Sequence, residues 1–135
     1  MTTHTTPAFA LGQSVNLNIS ACEAIIDQHA PVAISEETAD GLDASFKHFQ
    51  TKSISEPIYG VNTGLGPMVT SGVPRDQLID QQYQLVLSHA AGMGEPLSKR
   101  FARAAVLARA QSFAQGYSAV RAALPERLCT FLNHD

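Results

Sequence analysis

The side chains best suited to chemistry lie together in one glycine-rich segment, residues 59–66. Its polar members are a phenol, a carboxamide and a hydroxyl: Tyr59, Asn62 and Thr63. Its glycines, which let a backbone adopt positive φ and approach a ligand closely, are Gly60, Gly64 and Gly66. Their spacing fits neither a dinucleotide fingerprint nor a P-loop, so phosphate binding is not predicted.

Two interpretations of this loop stay open on pattern alone. The simpler one, which the pattern favours, is a glycine-rich turn between a strand and a helix. The other is an active-site loop in which Tyr59 is an acid or base. A phenol is protonated near neutral pH, so such a base needs nearby cations, dipoles or a strongly acidified substrate.

A second polar pair, Ser88 and His89, ends the predicted third helix. An imidazole both donates and accepts hydrogen bonds, so His89 can recognise a polar ring. The alternative is a core histidine on the row of Leu78 and Leu85, satisfied by neighbouring backbone. The residues by themselves favour this alternative.

The elements that must position these groups are mostly helices. Apolar residues step by three and four over residues 36–52, 74–91, 98–115 and 120–133, with a shorter helix over residues 21–29. The predicted N-caps are serines: Ser20 (with Glu23 as a capping box), Ser35 and Ser98. Alternation predicts a short strand over residues 15–19. We expect a flexible tail over residues 1–13, an extended connector over residues 31–34 and irregular structure over residues 60–72.

The fourth helix, residues 98–115, is apolar on nearly every side and is predicted to be buried all round. Four short helices hardly cover such a helix. Charged residues make up only 16 % of the chain, against about 25 % in an average soluble domain. We therefore expect part of the surface to be covered by another chain or domain, and the chain to self-associate.

Composition limits the function classes. The formal net charge is −3 and no Lys/Arg run is present, which argues against nucleic-acid binding. No apolar stretch approaches the roughly 20 residues of a membrane span, and the start lacks the pattern of a secretion signal. Two distant cysteines, Cys22 and Cys129, form no metal-type spacing. We expect a cytoplasmic chain with reduced thiols and no metal.

Three segments in order resemble the aromatic amino acid ammonia-lyase family, which contains the histidine, phenylalanine and tyrosine ammonia-lyases. They are IYGVNTGLG at 58–66, LVLSHAAGMGEPL at 85–97 and ARAQSFAQGYSAVR at 108–121. The resemblance covers roughly residues 11–133. It implies a mainly α fold, with residues 14–135 as the N-terminal portion of a lyase domain incomplete at its C-terminal end.

The resemblance implies roles for particular residues. Tyr59 matches the family's catalytic base, which removes the β-proton of the amino acid. The amine meets a methylidene-imidazolone (MIO) group made from an Ala-Ser-Gly tripeptide, and this sequence contains no such tripeptide. The cofactor is therefore expected from a segment absent here, and the chain alone is expected to be inactive.

Substrate choice in the family depends on the residue pair at Ser88 and His89. Ser-His is typical of histidine ammonia-lyases, whereas Phe-Leu and His-Leu are typical of phenylalanine and tyrosine enzymes. The resemblance therefore favours histidine as substrate. Leu65, Pro67 and Met68 depart from the usual loop residues, which leaves the substrate open. Matching residues Tyr117 and Arg121 are interpreted as packing and loop anchors.

Different classes of function remain. The chain is part of an ammonia-lyase, associating with the remaining lyase part or forming a homo-oligomer, or it is a non-catalytic module that binds a partner chain. A weaker third hypothesis is a free-standing small-molecule binder that uses the glycine loop. The coding sequence after Asp135 separates the first two, because a continuation containing Ala-Ser-Gly indicates the enzyme.

Overall fold

The computed structural model describes residues 8–53 and 55–134, and it confirms a mainly α fold. The strands are β1 (Phe9–Leu11) and β2 (Val32–Ile34). The helices are α1 (Ile19–Asp27), α2 (Glu36–Lys52), α3 (Leu78–His89), α4 (Lys99–Ala114) and α5 (Ala123–His134). Short 3-10 turns cover Gly66–Met68 and Arg75–Gln77.

The chain divides into two compact units. The core unit comprises residues 8–47 and 97–134, and the loop unit comprises residues 48–96. No helix in the described part of the chain is long and apolar enough to cross a membrane. Residues 8–53 and 55–134 contain no group of three or more His, Cys, Asp or Glu side chains placed to hold a metal ion.

The N-terminal strand of the core unit corrects two predictions. β1 pairs in parallel with β2, and Leu11 is only 1 % exposed, so the predicted tail over residues 1–13 is wrong at Phe9–Leu11. Residues 1–7 of that tail lie outside the described residues. The predicted strand over residues 15–19 is also wrong, because this stretch leads directly into α1. Leu17 packs against the core without a strand partner, which explains the apolar alternation.

Helix starts are partly as predicted. Ser35 Oγ accepts a hydrogen bond from Thr38 N at 3.1 Å, and Ser98 caps α4 as expected. α1 is capped by Asn18 instead of Ser20, because the Asn18 side chain accepts from Ala21 N at 2.9 Å. α3 begins at Leu78 rather than residue 74, since Pro74 is extended and a 3-10 turn intervenes.

The core of the first unit forms where α4 packs against α1, α5 and the strands. Its buried side chains are Leu11, Ile25, Val32, Leu107, Ala110, Ala114, Cys129 and Leu132. Burial raises the pKa of the Cys129 thiol to about 11, so the thiol stays neutral and packs as a small apolar group. The prediction that α4 is buried all round is wrong: its buried residues form one stripe, while Phe101 is 64 % exposed.

Arg103 is a charged residue inside this core, only 6 % exposed. Its guanidinium donates to the carbonyl oxygens of Ile25 at 2.7 Å, Ile26 at 2.9 Å and Leu132 at 3.0 Å. These carbonyls belong to the last turns of α1 and α5, where carbonyls lack partners within the helix and the helix dipole favours a cation. One side chain of α4 therefore joins three helices.

Side-chain carboxamides bind backbone groups of β2 and of the segment after β1 in the core unit. Asn133 on α5 pairs with both backbone groups of Val32, accepting from its N–H at 2.9 Å and donating to its carbonyl at 2.8 Å. Gln111 on α4 donates to the carbonyls of Gly12 and Val15 at 3.1 and 3.0 Å. Residues 12–15 are thereby held by α4 without being a strand.

Candidate functional site

Tyr59 presents its phenol to solvent from the glycine-rich loop, with the residue 61 % exposed. Its hydroxyl oxygen accepts a hydrogen bond from the backbone N–H of Gly66 at 3.1 Å. This bond spans the loop and orients the phenol. The hydroxyl is therefore both held in place and accessible to a small molecule.

Glycine is required at two positions of the loop. Gly60 has φ of 71°, a left-handed conformation that reverses the chain directly after Tyr59. At Gly64 a Cβ atom would lie 2.5 Å from the carbonyl oxygen of Met68, closer than atoms approach without displacement. The loop's path therefore depends on residues without side chains.

Asn62 organises the chain before and after Tyr59. Its Oδ1 accepts from Ile58 N at 2.6 Å, and its Nδ2 donates to the carbonyls of Ser53 and Glu56, each at 2.8 Å. Its own carbonyl accepts from Val73 N at 2.9 Å. Asn62 is therefore a brace of the loop, and its carboxamide is occupied by backbone.

Thr63 is the interior residue of the loop, at 5 % exposure. Its Oγ1 lies 3.1 Å from the Gly64 carbonyl, and Gly60 N donates to it at 3.4 Å. Thr63 also forms an antiparallel bridge with Gly72. The hydroxyl thus serves the loop's own backbone.

Two glutamines on α3 attach this loop to the helix. Gln82 Nε2 donates to the Gly60 carbonyl at 2.8 Å, and Gln81 Nε2 donates to the Thr63 carbonyl at 2.9 Å. Sequence reasoning missed both residues. Both are polar residues on a helix that carries several others, so the sequence does not reveal what their amides bind.

Ser88 and His89 form the last turn of α3 and are both exposed. His89 Nδ1 lies 2.8 Å from the Leu85 carbonyl oxygen, so Nδ1 donates to it, and in the neutral ring Nε2 is then the acceptor. Ser88 Oγ lies 3.0 Å from the same carbonyl. His89 is therefore not a core histidine, although backbone does partner its ring.

The loop lines an open cleft of about 680 Å³. Of the predicted site residues, Tyr59, Asn62 and Thr63 contribute to its wall, together with neighbours such as Glu56 and Val69. Ser88 and His89 are not among the lining residues. The structure therefore brings the loop's polar groups together and places the predicted selectivity pair elsewhere on the same unit.

The other matched residues have local structural contacts. Arg121 lies over the Phe46 ring at 5.5 Å, in agreement with its interpretation as a packing residue. Tyr117 is 87 % exposed, so it is not a packing anchor within the described chain. Pro67 and Met68 belong to a 3-10 turn, and Met68 is 65 % exposed.

The family model and the similar curated proteins all point to one family of lyases. The family described as aromatic amino acid lyase matches residues 17–135. A probable histidine ammonia-lyase from Thermoplasma acidophilum is 34 % identical over 121 residues, which are 89 % of this chain and 24 % of the relative. A histidine ammonia-lyase from Deinococcus radiodurans is 48 % identical over 79 residues, 58 % of this chain and 15 % of the relative. The chain thus spans a quarter or less of the length of these relatives.

Solved structures agree with the fold. The tyrosine aminomutase of Streptomyces globisporus superposes with a TM-score of 0.85 at 32 % identity, covering 95 % of this chain and 24 % of that one. The curated tyrosine 2,3-aminomutase of the same organism, which is 37 % identical over 120 residues, is described as MIO-dependent. An ergothionase from Treponema denticola has a TM-score of 0.84 at 22 % identity, which shows a shared fold.

Proposed function

Because the chain belongs to the aromatic amino acid lyase family, we propose that it is the N-terminal portion of an ammonia-lyase that converts histidine to urocanate and ammonia. The observation that carries the proposal is the Tyr59 hydroxyl, exposed at an open cleft and oriented by Gly66. Similarity to histidine ammonia-lyases and the Ser88–His89 pair support histidine as the substrate.

Tyr59 is the proposed base. Its oxygen takes the β-proton of the amino acid, and the Gly66 N–H aimed at that oxygen stabilises negative charge developing there. An MIO group, when present, supplies the electrophile that withdraws electrons from the substrate. An exposed hydroxyl that keeps one backbone partner fits a position beside such a group.

His89 is the proposed ring-recognition residue, with Ser88 beside it. With Nδ1 donating to the Leu85 carbonyl, Nε2 is an acceptor for an N–H of a substrate imidazole. Ser88 Oγ lies 3.1 Å from His89 Nδ1 and supports that ring orientation. A leucine at this position would leave the substrate N–H unpaired.

The 135 residues alone are proposed to be inactive. They contain the base but no Ala-Ser-Gly, so the cofactor must come from another segment. No ammonia should be released when the chain alone is mixed with histidine, phenylalanine or tyrosine. Release by the isolated chain would contradict the dependence on an MIO group.

The decisive experiment uses the chain as part of a continuous lyase that contains Ala-Ser-Gly. Histidine should be preferred, and Tyr59→Phe should lower kcat by about a thousandfold or more while the fold is retained, since only one hydroxyl is lost. Tyr83→Phe is the matched control, because Tyr83 is another exposed tyrosine of the same unit that has no proposed part in proton transfer. Near-normal turnover of Tyr59→Phe would refute the base assignment.

Substrate choice is tested in the same enzyme by His89→Leu. Loss of the ring's hydrogen-bonding partner should reduce the preference for histidine by about tenfold or more. The ratio of kcat/KM for histidine to that for phenylalanine measures this. An unchanged ratio would remove the argument for histidine and leave the lyase assignment in place.

A second candidate is a non-catalytic module that binds a partner chain. It is favoured by the apolar face of α3, where Ile79, Tyr83 and Val86 are each more than two-thirds exposed. The same face serves a lyase that associates with its remaining part or with a second copy. Light scattering that gives a compact monomer across a wide concentration range would contradict self-association.

A further inference from the structure

We propose that the adjacent glutamines Gln81 and Gln82 are positioning residues, which set the place of Tyr59 relative to His89. The inference rests on the proposed function, because it concerns the proposed base and the proposed ring-recognition residue. Neither glutamine is assigned a role in the reaction itself.

Packing alone does not fix the loop. Within residues 48–53 and 55–96 no apolar side chain is buried, and Thr63 is the single buried residue. Hydrogen bonds are directional, and they therefore determine where the loop lies. Most of these bonds close within the loop and fix its internal shape without fixing it to any other element.

The bonds from Gln81 and Gln82 differ because they join the loop to α3. Gln82 Nε2 donates to the carbonyl of Gly60, the residue after Tyr59, at 2.8 Å, and also lies 3.4 Å from that of Val61. Gln81 Nε2 holds the carbonyl of Thr63 at 2.9 Å. Two consecutive side chains thus hold residues 60–63, the stretch directly after Tyr59.

The same helix carries His89 at its other end. Gln82 and His89 are seven residues apart, so they share a face of α3 and lie about 10 Å apart along its axis. Because Gln82 holds the loop and His89 lies on the same rigid helix, the helix fixes the position of the loop relative to the imidazole. A substrate held between base and ring partner requires such a fixed separation.

Gln81 is poorly explained as a residue that only stabilises. Its Oε1 is buried and has no hydrogen-bond partner among the described residues. An unsatisfied buried acceptor lowers stability. Only the Nε2 donor of the amide forms a hydrogen bond, and this bond fits a role in placing the Thr63 carbonyl.

The test compares Gln82→Met and Gln82→Glu with Gln84→Met. Methionine keeps the length and helix propensity of glutamine, and glutamate keeps its shape, but neither donates a hydrogen bond at neutral pH. Gln84 is exposed on the same helix, so Gln84→Met makes the same chemical change away from the loop. The first readout is amide hydrogen exchange of Gly66 in the 135-residue chain.

We expect both Gln82 variants to speed exchange at Gly66 about threefold or more, because the loop loses the hydrogen bond that joins the Gly60 carbonyl to α3. In the continuous lyase they should lower kcat about tenfold with KM for histidine within about twofold. Gln84→Met should change neither quantity. Exchange at Gly66 equal to that of the unchanged chain would overturn the inference.

The two proposals fail in different ways. Faster exchange at Gly66 with an unchanged kcat would show that the glutamine contacts hold the loop, and it would refute their role in positioning the base. Near-normal turnover of Tyr59→Phe would refute Tyr59 as the base, whatever the exchange result. Unchanged exchange, with Tyr59→Phe inactive, would refute the positioning role and support the base. A rise in KM with kcat unchanged would also overturn the positioning role, since it would mean that Gln82 affects only substrate binding.

Discussion

The two units of the chain are stabilised by different kinds of contact. The core unit buries aliphatic side chains such as Ile25 and Leu107, and it places Arg103 of α4 where the last turns of α1 and α5 meet. The loop unit is held by side-chain amides and turn hydrogen bonds. The proposed base Tyr59 and the proposed ring-recognition residue His89 therefore both lie in the unit whose shape depends on directional hydrogen bonds.

The two units are also expected to differ in the free energy of local opening. A segment with few buried apolar contacts opens locally at low free energy, whereas a packed core opens only on global unfolding. On α3 the apolar side chains Ile79, Tyr83 and Val86 face outwards, so their burial does not contribute to the stability of this chain by itself. The loop unit is therefore expected to gain stability when that face is covered.

The largest expected effect is that of Arg103→Met. It removes the guanidinium donor from two buried hydrogen bonds and one partly buried one, and we expect the free energy of unfolding to fall by about 4 kcal/mol. Urea denaturation followed by circular dichroism measures this. Arg109→Met is the control, because exposed Arg109 only lies over the Phe113 ring, and its loss should stay below about 1 kcal/mol. Equal losses would mean that Arg103 does not unite the helices.

The comparison is sharpened by one substitution made in both units. Leu107→Ala in α4 removes a side chain that is 2 % exposed and should destabilise the chain by about 3 kcal/mol. Leu87→Ala in α3 removes one that is 59 % exposed and should change stability by less than about 0.5 kcal/mol. The same denaturation experiment compares them. A large loss from Leu87→Ala would show that α3 is covered in solution.

A smaller and more local effect is expected in the glycine loop. Gly64→Ala forces a Cβ against the Met68 carbonyl and should cost about 1 to 2 kcal/mol within the loop. Amide exchange of Val73, which donates to the Asn62 carbonyl, should then be about tenfold faster. At Gly72 an added Cβ meets no atom within 4 Å, so Gly72→Ala is the matched control. Exchange unaffected by Gly64→Ala would indicate that the loop already moves freely.

Sequence predicted the elements that carry strong local signals. α2 was predicted with its observed bounds, because Ser35 caps it, acidic residues begin it and its apolar residues step regularly. β1 was missed because three residues are too short for any periodicity. The cap of α1 was predicted at Ser20, whereas the structure uses Asn18, two residues earlier.

For the candidate site, the sequence predicted the motif residues but not the contacts that hold them. Its motif identified Tyr59, Asn62 and Thr63, and these side chains do meet at one cleft. The contacts of Arg103 and Gln82 were not predictable, because each binds backbone carbonyls that belong to other elements. Carbonyls are common to all residues, so no residue type in the sequence marks such a partner.

The pairing of Asn133 with Val32 has a consequence for aggregation. A two-stranded sheet leaves outer edges where a strand from another molecule can add by main-chain hydrogen bonding. The Asn133 amide satisfies both the N–H and the carbonyl of Val32, the groups that an incoming strand would need at the start of this edge. One side chain thereby protects β2 from edge-to-edge association, while the apolar face of α3 remains available for specific assembly.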